Sequence, residues 1–140
     1  MGDSASDRAR HLTARQSLDR FMRSAQDELG TASWWTGVAR HLDVLGADLA
    51  AEDIDGLIEQ VVELAPERAH PAGRIRRLHA QLQEDVLQLR LTVGELAGVP
   101  EAAHAVREAL AGLLERVSRV CLLADALLLD AYDLDIGTCD

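Results

Sequence analysis

Apolar residues along this chain recur in alternating steps of three and four, the spacing of helices that each bury one face. The longest stripe is Val106, Leu110, Leu113, Val117, Val120, Ala124, Leu127 and Ala131. It predicts a last helix over 106–131 with one continuous seam against other helices. Upstream, Ile75, Leu78, Leu82, Val86, Leu89, Val93 and Leu96 predict a helix that begins near Pro71 and stops at Gly98. Trp35, Val38, Leu42, Leu45 and Leu49 mark an earlier one, starting at Trp34-Trp35, with Glu52 on the next step. Around Asp53-Ile54-Asp55-Gly56 that helix is expected to be interrupted, and Leu57 to Leu64 read as a short continuation before Pro66.

The first helix is expected from Asp7 to Leu29, with Leu18, Met22, Ala25 and Leu29 as its stripe and His11 and Arg15 extending it upstream. Gly30 is a stop signal, Thr31 or Ser33 an N-cap, and Pro100 suits a first helical turn. Short connections imply antiparallel neighbours. The expectation is an all-α, up-down-up-down four-helix bundle in a single domain over 1–140, its second helix interrupted near Asp53–Gly56. Residues 1–6 and 135–140 are expected to form flexible or extended tails.

Composition agrees with helices. Only 3% of the 140 residues are aromatic, and Ala and Leu dominate, whereas strands favour aromatic and β-branched residues. The formal net charge of −10 repels phosphate backbones, which argues against nucleic-acid binding. All 14 basic side chains apart from His are Arg, a hint of a GC-rich, bacterial genome. No run approaches a membrane span, and the first residues have no secretory character. Cys121 and Cys139 form no CxxC pair and read as reduced thiols, so a cytoplasmic location is expected.

Two stretches resemble a known family. The chain ends its long helix in Ala131-Tyr132, followed by Asp135-Ile136-Gly137, and Gly56-Leu57-Ile58-Glu59-Gln60-Val61-Val62-Glu63-Leu64-Ala65-Pro66 follows a helix that ends in acids. Both are similar to hemerythrin-like (cation-binding) domains, which hold two irons between four helices with His and carboxylates. The resemblance covers most of the chain and implies that fold. It also places the fourth-helix ligand positions on Val120 and Ala124, neither of which can bind iron. On the first helix Arg15 replaces a ligand. On the second, Glu52 is kept while Asp48 replaces a His. On the third, His79 matches, with Gln83 after it. The resemblance therefore implies a site that has lost much of its metal chemistry, with Glu52, His79 and Asp48 as its vestigial ligands.

Arg15 has two readings that stay open. It extends along the bundle flank and pairs with exposed acids, or its guanidinium occupies the place of the metal charge, in a polar core cluster with Asp48, Glu52 and His79. A lone His beside a core stripe is favoured as a structural residue over a ligand. His41 shares a helical face with Leu45, Asp48 and Glu52; His11, His70 and His104 are expected in solvent. Trp34-Trp35 reads as a core anchor with a half-exposed partner. Cys121 and Asp125 sit one position off the seam.

No phosphate loop, dinucleotide fingerprint or serine-hydrolase motif is present, and Asp48 with Glu52 lacks an accompanying nucleophile. The leading expectation is a non-enzymatic, metal-free, cytoplasmic binding, regulatory or assembly module that acts on a protein partner, with neither nucleic acid nor membrane. The alternative is an iron-binding oxygen or redox sensor with an altered site at Asp48, Glu52 and His79. A small helical enzyme with a polar pocket ranks third.

Overall fold

The computed structural model of the chain describes residues 14–139, with side chains for residues 14–133. The described residues are helical and include no strand. Helix α1 runs through residues 14–24. It is followed by α2 (Ala32–Ala51), α3 (Ile54–Leu64), α4 (Ala69–Leu96) and α5 (Ala103–Cys139), with short 3₁₀ turns at Gln26–Glu28, Pro66–Arg68 and Pro100–Ala102.

Each boundary has a local cause. Gly30 takes φ of +84°, the left-handed conformation open to glycine, and ends the first helical stretch. Thr31 then caps α2: its Oγ1 accepts from the Trp34 N–H at 3.2 Å and donates to the Glu28 carbonyl at 2.7 Å. The interruption expected near Asp53 is present. Glu52 turns the chain into an extended conformation, and the Asp53 Oδ1 accepts from the Gly56 N–H at 3.0 Å to start α3. A Cβ at position 56 would run into the Asp53 carboxylate, which would have to shift from its capping position. Gly98, with φ of +90°, closes α4, and Pro100 opens the turn before α5.

The chain divides into two compact units, each discontinuous in sequence. The first comprises the chain through Glu52 together with Gln83–Glu115; the second comprises Asp53–Leu82 with the chain from Arg116 onward. Helices α4 and α5 contribute a segment to each.

In the first unit most stripe residues of α1, α2, α4 and α5 are buried, with Leu18, Val38, Leu42, Leu45, Leu49, Val93 and Leu110 at most 1% exposed, while Met22, Leu89 and Leu96 are half-buried. Burying such a side chain contributes about 1.5–3 kcal/mol. Phe21 of α1 lies over Gly37 of α2, and the Arg90 Nε donates to the Asp43 Oδ1 at 2.9 Å between α4 and α2. The second unit buries Ile58, Val61, Ile75, Leu82, Val117, Val120 and Leu127. There Arg76 pairs with Asp55 at 3.1 Å, and the Gln60 amide donates to the Tyr132 hydroxyl.

Four expectations need correction. The first helix ends at residue 24 instead of Leu29. Asp27 and Glu28 would sit at the negative end of its dipole, and the Ser24 hydroxyl bonds back to the Phe21 carbonyl at 3.3 Å. The tail over 135–140, expected to be flexible or extended, is helical as far as Cys139. It contains no proline, and one glycine costs a helix only about 1 kcal/mol. Both Trp34 and Trp35 are buried, at 2% and 4% exposure, instead of one being half-exposed. They meet edge to face with ring centroids 4.9 Å apart, so each indole covers the other. Ala124 is half-buried where the seam predicts full burial. Residues 1–6 and His11 lie outside the described residues.

Candidate functional site

The sequence directs attention to Arg15, Asp48, Glu52 and His79. Arg15 lies on α1, half-buried, and Asp48 is half-buried in the last turn of α2. Glu52 is the C-cap of α2, also half-buried. All three belong to the first unit. His79, on α4, belongs to the second and is the buried polar member of the set, at 5% exposure. Asp48, Glu52 and His79 each interact with a neighbouring group.

These positions lower the energetic stakes of the cluster. The sequence reading supposes carboxylates deep in a low-dielectric core, where a missing cation costs several kcal/mol. Arg15 and Glu52 keep part of their hydration, and an ion pair between solvated groups is worth about 0–1 kcal/mol, whereas the Asp48 Oδ2 and the His79 Nε2 are shielded from solvent. Asp48 and Glu52 also stand at the negative end of the α2 dipole, and the last turn of α2 carries no basic residue. Helix electrostatics does not favour acids there.

A diiron centre requires several imidazole and carboxylate donors around the same ions. Val120 is a core side chain at 8% exposure and Ala124 offers a methyl group; neither carries a lone pair. Among the described residues, no group of three or more His, Cys, Asp or Glu side chains is placed to hold a metal ion. The described residues do not fit a diiron centre.

His41, on α2, packs against Phe21 of α1. Its imidazole stacks on Phe21, with ring centroids 4.8 Å apart and planes inclined at 37°. Burial, with a smaller contribution from the Arg40 guanidinium, lowers its pKa from the ordinary value of 6.5. The phenyl ring fits because residue 37 is glycine: a Cβ there would lie 2.5 Å from the Phe21 Cε2 and 2.6 Å from its Cζ. This Phe21–Gly37–His41 arrangement escaped the sequence reading. The available signal was a glycine inside α2, four residues before His41 on the same face, and a single phenylalanine with no assigned partner.

His70 and His104 are exposed, as expected, and Cys121, Asp125 and Gln83 are half-buried. His104 lines an open groove of about 310 Å³ in the first unit, with Asp19, Arg23, Gln26, Arg107 and Glu108. Its charges are mixed, and Arg23 already pairs with Asp19 at 3.2 Å.

These features define an all-α protein. No helix among the described residues is long and apolar enough to cross a membrane. Compared with known proteins, the chain matches no family model, no curated protein and no solved structure.

Proposed function

We propose that the chain is a hemerythrin-like, up-down-up-down helical bundle that has lost most of its diiron ligands and acts as a non-enzymatic binding, regulatory or assembly module in the cytoplasm. One observation carries this reading. Val120, at a position where the resemblance requires an iron ligand, is buried among the core side chains of its unit. A buried valine stabilises helix packing and has no donor atom to offer a metal.

Metal analysis of the full chain tests it. Protein purified without chelator, and protein titrated anaerobically with Fe(II), should retain far less than one iron per chain and develop no oxo-bridged diiron absorption. Two irons per chain would overturn the reading. Retention of one iron that is lost on Glu52→Ala and on His79→Ala would replace it with the altered-sensor alternative.

A further inference from the structure

Helix α5 carries a second apolar stripe, on the side opposite its buried seam. Leu122 and Leu129 are 69% and 65% exposed, the two highest values among the large exposed hydrophobic residues. Ala126, midway between them, is also exposed, and Leu123 widens the stripe at 41%. The steps Arg119, Leu122, Ala126, Leu129, Asp133 alternate three and four, as do those of a coiled-coil seam. All five residues lie in the second unit, all are exposed, and the helix continues through them without a break.

We propose that this stripe is a self-association surface, occupied by the same stripe of a second copy of the chain running antiparallel. Arg119 and Asp133 lie seven residues on either side of Ala126, with Leu122 four before it and Leu129 three after, and this placing of opposite charges selects the partner and its direction. In the antiparallel arrangement centred on Ala126, Arg119 meets Asp133 at both ends, and Leu122 and Leu129 of opposite copies fall within one residue of each other at two equivalent places. A parallel pair would set Arg119 against Arg119 and Asp133 against Asp133, so like charges would face each other. The small central residue lets the two helix backbones approach closely while the leucines close on either side. Arg119 already has a contact within its own chain, and its five N–H donors leave it able to reach the partner carboxylate as well. The same face repeats on both subunits, as a twofold dimer requires.

The contact is short. From Arg119 to Asp133 it spans about 21 Å of helix. Two chains of net charge −10 also repel each other at long range. So short a seam falls below the roughly 1,000 Å² of a stable interface, and the association is weak and reversible. The inference does not depend on the ancestry of the fold or on any metal site.

Sedimentation velocity of the full chain, from about 1 μM to several hundred μM, should show a reversible monomer–dimer equilibrium. Leu122→Asp with Leu129→Asp should weaken dimerisation by at least about 100-fold, since four leucines leave the seam. Helix content by circular dichroism should not change, because both positions are exposed. Arg119→Asp and Asp133→Arg should each weaken the dimer, and the two together should restore it. Direction is tested separately in a chain carrying Cys121→Ser and Cys139→Ser. Mild oxidation should link copies through Ala126→Cys and leave Arg119→Cys unlinked. A monomer at every concentration, a dimer indifferent to the leucine changes, charge reversals without mutual rescue, or linkage through Arg119→Cys would each overturn the proposal.

Discussion

Replacing Gly37 by alanine should destabilise the protein, although alanine is the better helix former. Within a helix, Gly→Ala ordinarily stabilises by about 0.5–1 kcal/mol. At position 37 the added Cβ would lie 2.5 Å from the Phe21 ring edge, a separation that side chains do not tolerate. The ring must swing away, and overpacking of this kind costs about 1–3 kcal/mol. Phe21 is only half-buried, so it has room to move, which keeps the cost near the lower end. The loss of its contact with His41 adds to the cost. Set against the helix-propensity gain, the net expectation is destabilisation by about 0.5 kcal/mol. Gly112→Ala serves as the reference: in α5 nothing lies within 4 Å of its added Cβ, so that change should stabilise by about 0.5–1 kcal/mol. Urea denaturation followed at 222 nm reads both differences from the midpoint shift. In a Phe21→Ala background Gly37→Ala should lose its cost, and the cycle isolates the coupling. A Gly37→Ala protein as stable as the Gly112→Ala one, or an undiminished cost without the phenyl ring, would refute the argument.

Asp53→Ala should cost about 1 kcal/mol by removing the carboxylate that accepts from the Gly56 N–H, while Asp53→Asn should stay close to the parent in the same denaturation assay. Leu45→Ala, at a site with no exposure, should cost about 2–5 kcal/mol, measurable as a fall in the urea midpoint. His41 binds its proton less readily in the folded state than in the unfolded one. Its contribution to stability is therefore complete above pH 6.5 and is lost as the pH falls through the lowered folded value. His41→Gln should flatten that part of the stability–pH profile, and NMR titration of the imidazole in Gly37→Ala should find its pKa raised toward 6.5. Arg15→Ala should cost about 1 kcal/mol or less, in line with its half-buried position, and a loss of several kcal/mol in the denaturation assay would place it in a buried cluster after all.

The three-four spacing by itself determined the helices and most of their buried faces. Most residues from Leu18 to Leu127 that fall on the stripes are removed from water, with Met22, Leu78, Leu89 and Ala124 half-buried, because an apolar helical row must find cover. Short-range chemistry was equally legible: Gly30, Thr31, Asp53 and Pro100 act at the boundaries through interactions that reach only three or four residues. The C-terminal boundary was missed because a lone glycine is a weak stop signal, and no proline reinforces it. Depth and partnership were not written in the pattern. Spacing placed Asp48 and Glu52 on one face, yet only the packing of other segments decided that both are half-buried and that His79 belongs to a different unit. It likewise took two helices in contact to show that Gly37 is a seat for Phe21 and that His41 stacks there. Periodicity follows from the geometry of one helix, which the sequence carries; burial and contact follow from where a second helix lies, and only the tertiary structure contains that.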